Sequence, residues 1–475
     1  MALHPRSIES IVAEVLERLD SGGKPAGSEA GAPLGVHRDL DTAVKAAQAA
    51  FEAYDKVPLS TRYAVVAAMR DTLRGSWRAL AELAVEETGL GRVEDKITKN
   101  RIVTELTPGP EDLEPRAWTG DHGLTLEERA PYGVISVITP VTNPSETVIN
   151  NGISMVSGGN TLVLCPHPNA RKVSILTVDL MNRAARRAGA PAPLLHSVAE
   201  PSIEVAQQML RYPGIRLNVV TGGPAVVKEA LNAGKKAITA GPGNPPSIVD
   251  ETADIEKAAR DLIAGASLDN NVICTDEKEV IAVAIIADRL KEAFSRADSG
   301  AIVLAPHQTE QLRRVVLEKE QGPRQYAIIN RKYVGKNIDM ILREAGIPCD
   351  PSKRLAVCEV DNDHPFVWTE MMMPILPMTR VRNVDEAIDY AVLVEHGFRH
   401  TASMHSRNVD KLSKMARACN CSIFVKNGPN FAGLGWGGEG PTSFTIASPT
   451  GEGMTSARSF TRIRRCTLVD NFRIV

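Results

Sequence analysis

No stretch of this chain approaches the ~18–20 uninterrupted apolar residues of a membrane span. Its opening residues include acidic side chains and no sustained apolar run, so neither a membrane helix nor a secretory signal is expected. An excess of one charge is missing too. The 55 basic and 57 acidic residues leave a net charge of -2, which gives no reason to invoke nucleic acid or an anionic membrane as a partner. Cysteine pairing is equally hard to find. Cys165, Cys274, Cys349, Cys358, Cys419, Cys421 and Cys466 are odd in number and scattered, which suits reduced cytosolic thiols better than a disulfide framework. Cys419 and Cys421, in "ACNCSIFVKN", have no histidine or second cysteine pair at ligand spacing, so no metal site is expected. Strand alternation puts both on one face as small apolar residues.

What is there is the balance of a globular protein, 43% hydrophobic and 24% charged. A chain of 475 residues predicts two or three domains. Residues 7–20, "SIESIVAEVLERLD", place Ile8, Ile11, Val12, Val15, Leu16 and Leu19 on one helical face, so residues 1–20 form a short amphipathic helix. Residues 21–35, rich in Gly, Pro, Ser and Ala, follow as a flexible tether. Docking of this helix to a separate protein and folding back on its own domain both remain open.

From Leu40 to Leu106 the pattern is helical, broken at Pro58 and at Gly89 to Gly91. Short apolar runs, "VISVITPV", "TLVLCP", "LLHSVAE", "RLNVVTGG", "KKAITAGP" and "PSIVD", then alternate with helical segments to about Gly265. That alternation predicts an α/β fold with a parallel sheet, whose ligands bind beyond the carboxyl ends of the strands. At one such exit Thr221, Gly222 and Gly223 precede Pro224, which suits a first helical turn and leaves backbone N–H groups open to a pyrophosphate. The literal G-x-G-x-x-G at Gly433, Gly435 and Gly438 opens no helix and is read as a loop.

A second α/β segment starts near residue 266, which puts Cys274 at the junction of two halves, where clefts form. A lone cysteine is usually an inert buried thiol. Here "SLDNN" precedes it and "TDEKE" follows it, which predicts a polar, partly open setting able to hold a thiolate.

"TPVTNPSE", "GNTLVL", "TGGPAVV", "AGPGNPPSIVD", "DNNVICTDEKEV", "TEMMMPILP" and "FTIASPTGEG" resemble, in that order, the landmarks of the aldehyde dehydrogenase superfamily. The likeness runs from about residue 36 to the C-terminus and is strongest to the CoA-acylating branch. With the tethered helix, which resembles an encapsulation peptide, it is strongest to the propionaldehyde dehydrogenases of bacterial microcompartments. The fold implied is two Rossmann-like α/β domains plus a small β oligomerisation flap. Residues 36–265 would bind the cofactor, with 119–133 contributing to the flap. Residues 266–440 would carry the nucleophile, and 441–475 would return to the first domain and supply the last flap strand.

The resemblance implies Cys274 as nucleophile and Asn143 as oxyanion donor. Thr139, Pro140, Thr221, Gly222, Gly223, Gly241 and Glu370 would hold NAD, with Glu370 on the nicotinamide ribose. Coenzyme A is the implied co-substrate. His396 and His400 in "EHGFRHTA" are read first as structural hydrogen-bonding residues, with assistance to proton transfer, His400 named for it, as the other reading. Thr239 stands where hydrolytic members place a water-activating glutamate, and Cys165 where they place an adenosine-contacting lysine. Both departures suit oxidation of a short aldehyde, propionaldehyde by resemblance, to acyl-CoA. The implied setting is the bacterial cytoplasm inside a microcompartment. The implied partners are the aldehyde, CoA, shell or cargo proteins, and further copies in a homodimer or homotetramer. A hydrolytic aldehyde dehydrogenase and a non-catalytic scaffold that kept the fold are the alternatives.

Overall fold

The computed structural model describes residues 33–475 apart from Ala297; the helix expected over residues 1–20 lies outside the described residues. The chain divides into two compact units. The first holds the described residues up to Thr88, Ile97–Ala240 and Pro441–Val475, and the second holds Gly89–Lys96 and Gly241–Gly440.

The first unit is built on a six-stranded parallel sheet ordered Val36–His37, Leu195–Val198, Thr161–Pro166, Val134–Thr139, Leu217–Thr221, Ala237–Ala240. Val134–Thr139 and Thr161–Pro166 are buried at every residue, as parallel strands covered on both faces must be. That is why their sequences run apolar without alternation. The central strands Val134–Thr139 and Leu217–Thr221 each lead into a helix, Pro144–Ser157 and Pro224–Leu231, with proline in its first turn. The stretch expected to be helical beyond Pro58 is two helices, Leu59–Arg74 and Trp77–Thr88, separated at Gly75 and Ser76. A three-stranded antiparallel sheet, Arg116–Gly120, Gly123–Pro131 and Thr461–Val469, joins two distant parts of the chain in one unbroken register from Thr461↔Pro131 to Val469↔Gly123. Trp118, Ile463, Leu468 and Val469 on it are exposed.

The second unit is built on a seven-stranded parallel sheet ordered Ala301–Leu304, Leu355–Glu359, Ile375–Val381, Glu279–Val283, Pro246–Val249, Thr401–His405, Ile423–Lys426. Pro246–Val249 pairs with Glu279–Val283 and with Thr401–His405. The chain therefore enters the second sheet at Pro246, ahead of the division at residue 265 expected from the sequence. "PSIVD" and "KKAITAGP" look alike as apolar runs, and only their pairing tells them apart.

The C-x-C segment is a correction. Cys419 ends the helix Val409–Cys419, Asn420 closes it in the left-handed region at φ 49°, and Cys421 precedes the strand Ile423–Lys426. The two cysteines do not alternate along a strand.

Candidate active site

In the first unit the expected groups gather at the carboxyl edge of the sheet. Thr139 and Thr221 end adjacent strands, and Ile138↔Val220 and Thr221↔Ala240 fix the register of the edge. Thr221 Oγ1 lies 3.1 Å from Thr445 Oγ1, and Thr139 Oγ1 is buried without a hydrogen-bond partner among the described residues. Gly222 and Gly223 follow, then the helix Pro224–Leu231, whose N-cap Gly223 has no side chain to cap it. A Cβ at Gly223 would meet nothing within 4 Å, and Gly223, Pro224 and Ala225 are exposed. An open, uncapped helix N-terminus beside a glycine is a ready seat for a pyrophosphate, so these residues fit the dinucleotide that the sequence implies. Cys165 packs in the core of this unit, and burial pushes its thiol up to about 11.

Asn143, past the end of Val134–Thr139, is the N-cap of Pro144–Ser157, yet its side chain makes no cap bond. Asparagine is among the best N-caps, so forgoing the cap needs a cause. Lys99 Nζ donates to Asn143 Oδ1 at 2.7 Å and is ion-paired with Glu146 Oε1 at 3.1 Å. Asn143 Nδ2 donates to Thr142 Oγ1 at 3.2 Å. Thr239 is fully buried in Ala237–Ala240; its N–H donates to Thr450 Oγ1 at 3.0 Å, while its own hydroxyl oxygen has no partner among the described residues.

In the second unit Cys274 follows three consecutive left-handed residues, Asp269 (φ 46°), Asn270 (φ 56°) and Asn271 (φ 65°). Non-glycine residues resist this conformation, and such strain persists only where the surroundings over-determine it. Here each is gripped. Asp269 accepts from Lys96 Nζ at 2.9 Å and from the Arg92 N–H at 2.7 Å. Asn270 Nδ2 donates to Gly335 O and Asn337 Oδ1, both at 2.9 Å. Asn271 Nδ2 donates to Ala266 O at 2.8 Å and Glu277 O at 3.0 Å.

The flank "TDEKE" departs from its expected polar, open character. Thr275, Asp276, Glu277, Lys278 and Glu279 are all buried. Lys278 Nζ donates to three neutral oxygens, those of Asn271 Oδ1 (2.7 Å), Asn271 O (2.9 Å) and Ile273 O (3.0 Å). Burial pushes Glu277 up to about 8 and Glu279 well above the carboxylate range. Cys274 is half-buried. Loss of water, then the nearby Glu370 carboxylate, push its thiol up to about 12, and the Lys278 ammonium opposes them. The unliganded thiol is therefore kept protonated at neutral pH.

Gly243 joins this centre together. A Cβ there would lie 2.7 Å from the Cys274 carbonyl oxygen and 3.1 Å from His400 Cγ, so only glycine fits. Its backbone N–H also donates to Glu370, whose carboxyl burial raises to about 7. Burial and Lys278 lower His400 to about 4; its Nδ1 lies 2.9 Å from Thr401 Oγ1 and its Nε2 is buried without a partner among the described residues. His396 is engaged otherwise, its Nε2 3.0 Å from Trp368 O and its ring beside Trp368. Sequence reading chose Gly241 from "AGPGNPP" and missed Gly243; a second glycine two residues on was the available signal. It also missed Lys96, Lys99 and Lys278.

Compared with known proteins, residues 28–449 match the model of the aldehyde dehydrogenase family. The acetaldehyde dehydrogenase (acetylating) EutE of Salmonella typhimurium is 48% identical over 474 residues, all of both chains. The structure of Rhodopseudomonas palustris propionaldehyde dehydrogenase, with bound CoA and an acylated cysteine, is similar at 49% identity and TM-score 0.88, covering 92% of this chain and 98% of that one. A propionaldehyde dehydrogenase from the Clostridium phytofermentans fucose utilisation bacterial microcompartment gives 44% identity and TM-score 0.90, over 93% and 100%.

Proposed function

The chain belongs to the aldehyde dehydrogenase family, and on that footing we propose that Cys274 is its nucleophile and carries the acyl group as a thioester. The protein is a CoA-acylating aldehyde dehydrogenase, an oxidoreductase that uses a nicotinamide dinucleotide and CoA to turn an aldehyde into acyl-CoA. The observation that most supports Cys274 is its place on an over-determined strained loop, with Gly243, His400 and Glu370 packed around it. An inert core thiol needs none of this.

In the reading proposed, Cys274 Sγ attacks the carbonyl carbon and the carbonyl oxygen becomes an alkoxide. The Asn143 amide and the Cys274 backbone N–H donate to that alkoxide, an arrangement worth a few kcal/mol when the donors are fixed. Thr139, Pro140, Thr221, Gly222, Gly223 and Gly241 hold the dinucleotide and Glu370 holds its nicotinamide ribose. When bound, the dinucleotide supplies the hydride acceptor, which leaves a thioester on Cys274. The CoA thiol then attacks the thioester, the bond to Cys274 breaks, and acyl-CoA departs. His400, whose buried Nε2 has no partner among the described residues, exchanges the protons of the two thiols. Acyl-CoA reduction uses the same groups in reverse.

We assign propionaldehyde as the preferred aldehyde, supported by the two propionaldehyde dehydrogenases of similar structure. Residues 1–20 act as an address for a microcompartment shell or cargo protein, supported by the microcompartment relative. Removing them with the linker should leave kinetics unchanged and abolish co-purification with shell proteins. The three-stranded sheet, with its exposed Trp118, Ile463 and Leu468, joins copies into a dimer or a dimer of dimers, which light scattering reads directly.

The decisive test is an aldehyde panel assayed with NAD and with NADP, each with and without CoA. Without CoA, a burst of about one NADH per site should precede a slow phase that CoA accelerates. Rapid free-acid formation without CoA would mark a hydrolytic enzyme, and a Cys274→Ala variant with a normal burst would remove the nucleophile assignment.

A further inference from the structure

We propose that Lys99 is a positioning residue that sets the Asn143 amide as an oxyanion donor; the inference rests on the role assigned to Asn143 above. An asparagine amide presents an oxygen and an NH₂ of nearly equal shape, and its neighbours decide which end faces where. A lysine ammonium only donates. The amide end 2.7 Å from Lys99 Nζ is therefore the oxygen, and the NH₂ is turned to the other side. One of its N–H groups meets Thr142 Oγ1 at 3.2 Å, and the other, with no partner among the described residues, is open to a ligand.

The contact does more than orient. A cation on the oxygen draws electron density along the amide and makes its N–H groups better donors, as charge-assisted chains of hydrogen bonds do. Lys99 is 1% exposed and Glu146 fully buried, so the charges act through a medium with little water to screen them. A buried ion pair is poor evidence of a stability role, since apolar side chains of similar volume usually serve as well. Lys99 also draws Asn143 away from capping the helix Pro144–Ser157, a sacrifice that stability alone does not account for.

The test compares two reactions of Cys274 that need no dinucleotide. In acylation by p-nitrophenyl acetate, Sγ bonds to the acetyl carbon through an alkoxide, p-nitrophenolate leaves with the electron pair of the broken C–O bond, and the thiol proton passes to solvent. In alkylation by iodoacetamide, Sγ displaces iodide and no alkoxide forms. Lys99→Met should slow acylation by ~10–100-fold, the range expected of a misplaced catalytic donor, and leave alkylation within about twofold. Asn143→Ala should slow acylation at least as much, and the double variant should be no slower than Asn143→Ala alone. Lys99→Met/Glu146→Leu removes both buried charges and should show the same pattern should the lone carboxylate keep Lys99→Met from folding. Equal slowing of both reactions, or a Lys99 effect that persists without Asn143, would overturn the proposal. An Asn143→Ala variant with unchanged acylation would instead overturn the assignment of Asn143, and the inference with it.

Discussion

Asn271 holds Lys278 twice, through its carbonyl oxygen at 2.9 Å and its Oδ1 at 2.7 Å. Because the third bond goes to the Ile273 carbonyl, the ammonium's partners among the described residues are neutral oxygens, and no carboxylate among them is ion-paired with it. It acts on Cys274, Glu277, Glu279 and Glu370, lowering each against the burial that raises it.

Replacing Lys278 by methionine removes that opposing charge, so the Cys274 thiol should rise further above about 12. Iodoacetamide alkylation of the unliganded enzyme should then fall, by about tenfold for each unit of rise. In the unaltered enzyme the alkylation rate should climb about tenfold per pH unit from pH 7 to 10 without levelling, since the thiolate fraction grows throughout this range. A plateau near pH 8 would contradict the buried setting of the thiol.

Gly243→Ala should be far more damaging than a methyl group suggests. The Cys274 carbonyl oxygen, 2.7 Å from the added Cβ, is backbone and cannot swing aside. Displacing Cys274, the proposed nucleophile, by a fraction of an ångström should lower kcat by ~10²-fold, with overpacking costing ~1–3 kcal/mol of stability. Steady-state kinetics and urea unfolding read the two effects separately.

Glu277 should make stability depend on pH in a particular direction. Its folded value, about 8, lies above the ordinary 4.5, so the folded protein keeps a proton that the unfolded chain releases. Its contribution is fully present below about pH 4.5 and is lost as pH rises towards about 8. Glu370, raised to about 7, acts with the same sign. Glu277→Gln should gain in melting temperature relative to the unaltered protein as pH rises from 6 to 8.5, and an unchanged difference over that range would show that Glu277 is ionised in the fold.

Thr239→Glu tests the hydrolytic alternative, but the structure changes what to expect from it. Thr239 is fully buried in a strand and its hydroxyl oxygen already lacks a partner among the described residues. A carboxylate there has no donor waiting for it, so a loss of several kcal/mol is expected, as for other unpaired buried charges. Thermal unfolding should show that loss before any gain in free-acid production appears.

Much of the fold was legible because parallel strands covered on both faces must be continuously apolar. "VISVIT", "TLVLCP" and "LNVVT" show this, and each is a strand of the first sheet. Which sheet "PSIV" joins was not legible, since pairing partners leave no mark on a four-residue apolar run. Cys274 and Asn143, whose roles are proposed, were singled out by the company they keep in the sequence. Lys99 and Lys278 were not, because a buried charge differs from an exposed one only in its partners, and those lie 44 residues away for Lys99 at Asn143 and seven away for Lys278 at Asn271. The run "TDEKE" misled for the same reason. Its composition is that of a surface turn, while its burial is made possible by Asn271 and Asn430, whose bonds to it depend on the folded chain.

The sealing of these lysines bears on the chemical wear of the protein. Acyl-CoA, its own product, is a thioester that slowly acylates exposed amines and erases their charge. Lys96, Lys99 and Lys278 are at most 2% exposed, so their amines do not meet it, while Lys56 and Lys319 stand in solvent. Damage from accumulated product should therefore collect on the outer surface, where a lost charge costs little. The cations that bond Asp269, Asn271 and the Asn143 amide should outlast many rounds of turnover.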